Sequence, residues 1–459
     1  MIISVLSKSQ ELYQSLAIDW ETVCLNQLDK YTAIEYFLTL EDEPPENANN
    51  LQKINRYLQV FYHLCEVAEW EKAGQILLFS PVSIPLHEQL RIWGYYREQI
   101  ELYQQLLGKV NSEQDIICLY GLGRAFYNLS DYDQSLIYYQ ELLKLAQLIN
   151  NRQAEALALD GLGNIQYMRQ NINGAIAYFQ QQLDIANEIY DDEQKGYALE
   201  NLGYVFYFSG LNQGKYNDQQ TGLHYLEAAL AIAVKLNNQE LESLSIDHIT
   251  QIYFDRGQYN KSLTYLFRQL AICQENNDKL RQARILGNIG RSYLMLKQSD
   301  QALKYSQTAL IATREIGNKW EEAKLLNNLG VIHCYKLKLY QEAIFYFGQA
   351  LKILQRLNLQ VHQSMCAANI SVCYSYLKNQ KKSVFYINMA KSSMAELESV
   401  EYKGILIMSI ANSYWLRDKI WYKAWAILLV IKALMIIPPW RSANGRLAME
   451  SAIKQIFGR

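Results

Sequence analysis

The chain has 459 residues, half of them hydrophobic, with a formal net charge of −2 and a pI near 6.4. Because nucleic-acid phosphates demand clustered Lys and Arg, this charge balance argues against a nucleic-acid partner. The seven cysteines form no CxxC pair, and the opening MIISVLSKSQ lacks the basic segment and long apolar stretch of a secretory signal. We therefore expect an ordered chain with reduced thiols in the cytoplasm.

The first 110 residues predict helices that repeat only weakly. Residues 1–50 are expected to form a divergent helical segment that ends in an acidic, polar hinge, EDEPPENANN at 41–50. Residues 51–110 are expected to form degenerate helical hairpins, because His87, Leu90 and Gly94 keep the spacing of the repeats that follow.

A ladder of small residues divides 111–437 into eight units. Its members, called anchors below, stand 40, 40, 47, 40, 40, 41 and 40 residues apart: Gly123, Gly163, Gly203, Thr250, Gly290, Gly330, Ser371 and Ala411. Residues 86–437 contain no proline, and Asn-rich pairs such as Asn150-Asn151 mark the turns. A fixed period of this size indicates an all-α solenoid, in which stacked helical hairpins of about 15 to 17 residues per helix share one core.

Two segments depart from the regular period. A seven-residue insertion near 211–220 is expected to bulge from a turn between two helices. Residues 420–437 are nearly apolar, but they include Lys423 and Lys432 and keep the register of a second helix, so we expect a repeat helix there and not a membrane span. Residues 438–459 are expected to form a capping helix over its apolar face.

The spacing inside each unit points to a known family. An aromatic residue usually follows the anchor by three positions, as in Phe126, Tyr253 and Tyr293, and a small residue by about twelve. This pattern resembles the tetratricopeptide repeat in its 40-residue form, and is similar to that of kinesin light chains, Pins-type adaptors and bacterial, including cyanobacterial, repeat proteins. The resemblance implies a right-handed superhelix whose first helices line a concave groove that binds proteins or peptides.

No motif for catalysis or cofactor binding accompanies the repeats. The sequence has no Walker loop, no GxGxxG after a strand and no HExxH, and its GLG triplets lie on predicted helices. His362, Cys366 and Cys373 form the only metal-like grouping, and a fourth ligand is missing. We expect no enzyme activity, no metal, no cofactor and no small-molecule substrate.

The resemblance places the residues two before and one after each anchor on the groove. Asn occupies the position two before the anchor in four of the eight units, and an amide that donates and accepts can hold the main chain of an extended peptide. Nearby charges are acidic in early repeats and basic in later ones. The predicted partner-binding residues are Asn201, Asn288, Asn328, Asn369, Arg284, Arg291, Lys324, Asp160, Glu200 and Asp247.

A structural interpretation of the same residues stays open, in which the Asn side chains satisfy neighbouring helices and the charges are solvated. The sequence predicts a non-catalytic adaptor that binds a protein or peptide segment. The alternatives are a peptide-sensing receptor of the bacterial regulator type and an assembly factor for a membrane (photosynthetic) complex.

Overall fold

The computed structural model describes residues 7–40, 48–81, 84–213, 216–275, 278–392, 407, 410–411, 413–414, 416 and 420–436. Within these residues there are 21 α-helices and no strand, which confirms the all-α prediction. The chain divides into two compact units, Met1–Val205 and Phe206–Arg459. The predicted hinge at 41–50 lies mostly outside the described residues, and the predicted capping helix at 438–459 lies wholly outside them.

The first unit contains ten whole helices and the start of an eleventh. A short 3-10 turn, Leu25–Gln27, precedes the second helix. Helices that follow one another in sequence pack together, from α1 on α2 to α9 on α10. They are α1 Lys8–Ser15, α2 Leu28–Thr39, α3 Asn50–Glu66, α4 Trp70–Leu78, α5 Leu86–Trp93, α6 Tyr96–Leu106, α7 Ser112–Asn128, α8 Tyr132–Leu148, α9 Arg152–Met168, α10 Ile172–Glu188 and α11 Asp192–Gln213.

The second unit begins within α11 and continues the same pattern of consecutive packed helices. A π-helical turn, Ile332–Leu337, extends α17. The helices are α12 Tyr216–Leu236, α13 Gln239–Asp255, α14 Tyr259–Glu275, α15 Lys279–Met295, α16 Ser299–Ile316, α17 Lys319–Val331, α18 Tyr340–Arg356, α19 Gln360–Tyr376, α20 Gln380–Ser392 and α21 Ile420–Ile436. None of the described helices is long and apolar enough to cross a membrane.

The Asn-rich pairs end one helix and start the next. Asn150 has a positive φ of 55°, which closes α8, and the side chain of Asn151 accepts a hydrogen bond from the backbone N–H of Ala154 at 2.9 Å, which caps α9. Asn237 and Asn238 repeat this arrangement between α12 and α13. Asn tolerates the left-handed conformation and is a preferred N-cap, so the pairs fix both helix ends.

Three anchor glycines, Gly123, Gly163 and Gly330, each let an aromatic side chain of their own hairpin approach the first helix. A Cβ added at Gly163 would lie 2.5 Å from the Phe179 ring, and one added at Gly330 would lie 2.6 Å from the Phe347 ring. Both distances are far below an ordinary van der Waals contact. The predicted role of the anchors in close helix packing is therefore confirmed at these positions.

The aromatic residues that follow the anchors stack on aromatics of the paired second helix. Phe126 stacks on Tyr138 with ring centroids 5.5 Å apart, and Tyr293 stacks on Tyr305 at the same separation. Tyr253 with Tyr265, and Tyr374 with Tyr386, each stack at 5.7 Å. These pairs are twelve residues apart in sequence, so the stacking recurs with the repeat and fixes how the two helices of a hairpin face each other.

The insertion near 211–220 does not form the predicted bulge from a turn. It lengthens the two flanking helices instead, since α11 has 22 residues and α12 has 21, against 17 in most repeat helices. The final helix also differs in register from the sequence pattern. The sequence pattern assigns the small residue of this helix to Ala424, thirteen positions after the anchor Ala411, but Ala424 is exposed and α21 buries Ala426 and Ala433.

Candidate partner-binding surface

The predicted residues of the first unit hold two first helices together. The Asn201 side-chain Nδ2 on α11 donates to the Asp160 carboxylate on α9 at 2.6 Å. Burial raises the pKa of Asp160 to about 6, although the Asn201 amide and the Arg124 guanidinium act in the opposite direction. Glu200 is only 5% exposed. These three residues therefore offer little free polar surface to a partner.

Two tyrosines that are not among the predicted site residues lie on the same helices. The Tyr167 and Tyr204 hydroxyls are 3.2 Å apart and their rings meet edge to face with centroids at 5.1 Å. Desolvation raises the pKa of the Tyr204 hydroxyl, so it stays a neutral hydrogen-bonding group. Because Tyr167 stands four residues after its anchor and Tyr204 one after the next, the repeat register alone could have found this pair.

The charged residues of the second unit are paired with one another. The Arg284 guanidinium on α15 lies 2.7 Å from the Asp247 carboxylate on α13, and the Gln269 amide donates to the same carboxylate at 2.8 Å. The Lys324 ammonium lies 2.8 Å from the Glu321 carboxylate. The Arg284 and Lys324 side chains keep 43% and 42% exposure, so both cations face solvent, although the Glu321 side chain is only 11% exposed. Ion pairs of this kind contribute about 0 to 1 kcal/mol and can be exchanged for a partner's carboxylate.

Arg291 stacks on an aromatic ring of the neighbouring first helix. Its guanidinium carbon lies 4.2 Å from the centroid of the Phe254 ring. Such a cation–π contact holds the planar group flat against the ring and leaves its edge to hydrogen-bond. Arg291 is thereby oriented on the same helix, α15, that carries Asn288.

Asn369 resembles Asn201 in having a partner on the preceding first helix. Its Nδ2 donates to the Asn327 Oδ1 at 3.3 Å, and the Cys366 thiol donates to the same oxygen at 3.4 Å. The described residues contain no hydrogen bond that engages the side-chain amide of Asn288 or of Asn328. The four predicted Asn residues thus divide into two that hold neighbouring helices together and two that do not.

The metal-like grouping of the sequence is spread over different neighbours. The His362 ring meets the Trp320 ring edge to face with centroids 4.6 Å apart, and the Cys373 and Cys334 sulfurs are 3.3 Å apart. Burial raises the pKa of the Cys366 thiol to about 12. In the described part of the chain no three His, Cys, Asp or Glu residues lie together as metal ligands.

Comparison with known proteins identifies the repeats. One sequence model of the tetratricopeptide repeat matches residues 240–315, and a second matches residues 117–147 and 323–353. The matched segments of the chain are tetratricopeptide repeats. Asn288 lies within the first match and Asn328 within the second, so both belong to repeats that the family patterns recognise.

Solved structures share the tetratricopeptide-repeat fold at low identity. The apo form of RapI is 17% identical, with a TM-score of 0.50 over 61% of this chain and 98% of RapI. A STAND protein with a tetratricopeptide-repeat sensor from Pyrococcus horikoshii is 15% identical, with a TM-score of 0.57 over 94% of this chain and 64% of that protein. At this identity the similarity concerns the fold. No curated protein matches the chain.

Whether the Asn side chain of a repeat is hydrogen-bonded depends on one residue of the preceding repeat. That residue stands three positions before the preceding repeat's anchor. Asp160 and Asn327 stand at this position and accept from the Asn of the next repeat. For Asn328 the corresponding residue of the preceding repeat is Gly287, which has no side chain to accept a hydrogen bond. For Asn288 the corresponding residue is Asp247, whose carboxylate already accepts hydrogen bonds from Arg284 and Gln269.

Proposed function

We propose that the chain is a non-catalytic adaptor that holds an extended segment of a partner protein on the first helices of its second unit. The observation that supports it is the pair of unengaged amides, Asn288 on α15 and Asn328 on α17, at the same position of consecutive repeats. Both residues are partly exposed, so each amide can exchange its bound water for hydrogen bonds to a partner. Two such amides at the same position of consecutive repeats suit a ligand whose hydrogen-bonding groups also recur at regular intervals, as those of a peptide main chain do.

The chemistry around the two amides favours an acidic, extended segment. Each amide offers one acceptor and two donors, which match the N–H and C=O of a peptide unit. Packed helices lie about 8 to 10 Å apart, and an extended chain rises about 3.3 Å per residue, so neighbouring amides match peptide units about three residues apart. Arg284, Arg291 and Lys324 would supply charge-assisted contacts to carboxylates of the partner.

Affinity purification with mass spectrometry tests the proposal. The double variant Asn288→Ala/Asn328→Ala is expected to lose the proteins that the wild-type chain captures, and to bind a peptide from the main captured protein about tenfold more weakly in calorimetry, as the loss of two hydrogen bonds predicts. Its thermal midpoint should not fall, because neither amide has a partner in the free chain and Ala favours the helix more than Asn does.

Asn369→Ala is the matched control. Its amide is engaged by Asn327, so this variant should lower the thermal midpoint and leave peptide affinity unchanged. The same partners captured at equal affinity by the double variant would contradict the proposal. The class of captured partner separates the alternatives, since a short secreted peptide would indicate a sensing receptor and subunits of a membrane complex would indicate an assembly factor.

A further inference from the structure

The second helices of the last three hairpins carry an exposed apolar row. Phe345 on α18, Phe385 on α20 and Leu428 on α21 are 61%, 64% and 57% exposed. Each stands two residues after the first buried small residue of its helix, which is Ala343, Ser383 or Ala426. We call these three large side chains the outer row.

The hairpin fold does not require apolar side chains at this position. Four of the five earlier repeats place a small or polar residue there, Ala177, His224, Thr264 or Lys304, and the first places Ile137, which is 44% exposed. Only the last three repeats have, one after another, a large apolar residue at this position that is more than half exposed. An exposed apolar cluster of this kind marks an interaction surface.

The three helices of the outer row are packed into one body. The helix α19 packs against both α18 and α20. Leu429 of α21 packs on the cluster that contains Ile387 and Ala390 of α20. Trp425, which is 61% exposed, and Ile431 stand three residues before and after Leu428, so they widen the apolar row on the same face of α21.

The charge around the outer row is basic. In a chain of net charge −2, the helices α18, α20 and α21 carry seven basic residues and a single acidic one, Glu342. Lys352, Lys381 and Lys432 stand four or seven positions from a member of the row, on its helix face, whereas the Lys382 ammonium lies over the Tyr374 ring at 5.2 Å. Two copies of such a face would repel each other, which disfavours self-association, whereas an anionic surface would be attracted.

We propose that the outer row binds the surface of an anionic lipid bilayer. The apolar side chains protrude, so they suit a soft surface that they can enter to the depth of a side chain. The flanking lysines reach acidic headgroups through their long apolar stems, and each contributes attraction that falls with ionic strength. The first-helix surface around Asn288 is a separate feature, and this proposal does not depend on it.

Vesicle co-sedimentation of the full chain tests the lipid proposal. The wild-type chain is expected to sediment with vesicles that contain phosphatidylcholine and phosphatidylglycerol, and to bind vesicles of phosphatidylcholine alone at least about tenfold more weakly. Raised ionic strength should weaken the binding. Absence of binding to the anionic vesicles would overturn the proposal, and capture of an acidic protein in its place would assign the row to a protein partner.

Two variants and one control locate the surface. The triple variant Phe345→Ser/Phe385→Ser/Leu428→Ser should bind anionic vesicles about tenfold or more weakly, through loss of apolar burial. Lys352→Glu/Lys381→Glu should weaken binding by a similar factor while it retains all three apolar side chains. Ile311→Ser removes an equally exposed apolar residue, 62%, from the second helix α16 and should bind like the wild-type chain. Equal binding by the wild-type chain and both multiple variants would refute the assignment.

Discussion

Tyr139 shows why certain positions of the first helices accept glycine alone. Its ring lies between two helices, so that a Cβ added at Gly123 would come within 2.8 Å of it and one added at Gly161 within 2.3 Å. The side chain is 3% exposed and has no free space on either side. One tyrosine thereby sets the distance both within its own hairpin and to the next one, through two residues that lack side chains.

Gly161→Ala should therefore lower the stability of the chain. The added methyl group meets a ring that Gly123 holds from the other side, and overpacking of this kind costs about 1 to 3 kcal/mol. The matched control is Gly348→Ala in α18, where an added Cβ meets nothing within 4 Å and the helix gains about 0.5 to 1 kcal/mol. Thermal midpoints measured by circular dichroism should fall for the first variant and not for the second. Equal midpoints would contradict the packing described for Tyr139.

The Asp160 carboxylate links stability to pH. Its pKa is raised by burial from 3.8 to about 6, so the folded chain binds this proton more tightly than the unfolded chain does. Between pH 3.8 and about pH 6, Asp160 is protonated more often in the folded chain than in the unfolded chain. The free energy of unfolding therefore falls as the pH rises through this range. Above about pH 6 the carboxylate is charged in both states and its cost is complete.

Asp160→Asn removes this titration while it keeps a side-chain oxygen that can accept from the Asn201 amide. The variant should equal the wild-type chain near pH 4 and exceed it in stability by a growing margin towards pH 6 and above. Thermal midpoints of both proteins across this range provide the measurement. A constant difference at every pH would show that Asp160 is not the titrating group.

At the scale of the helical elements, the sequence predicts the local features well. Helix ends follow from residues such as Asn150 and Asn151, and the close packing of hairpins follows from anchors such as Gly163, because each depends on one short stretch of chain. The insertion near 211–220 was predicted wrongly as a bulge. The insertion has no proline to stop a helix, so α11 reaches Gln213 and α12 begins at Tyr216.

The division of the Asn residues could not be predicted from one repeat. Asn288 and Asn369 stand in the same place in their repeats, yet Asn369 is held by Asn327 whereas Asn288 faces an aspartate that Arg284 occupies. The difference depends on which side chain the preceding repeat presents about 40 residues earlier. The repeat register gives the candidates, and contacts between repeats determine which amides remain for a partner.

For the whole molecule, a repeat architecture limits how far a local defect spreads. Each hairpin contacts mainly its neighbours in sequence, as α15 does with α16 and α16 with α17. The stability of such an array is close to a sum of repeat and nearest-neighbour terms. Damage in one hairpin should therefore reach the adjacent hairpins and weaken beyond them.

Ala302→Leu in α16 tests this locality by hydrogen exchange. Ala302 is fully buried, and its backbone oxygen lies 3.2 Å from the position a Cβ would take at Gly290, so a larger side chain must separate α15 from α16 at a cost of about 1 to 3 kcal/mol. Amide exchange should accelerate in α15, α16 and α17, and stay unchanged in α3 to α8 of the first unit. Faster exchange in all these helices alike would show that the chain unfolds as one cooperative body, contrary to the nearest-neighbour description.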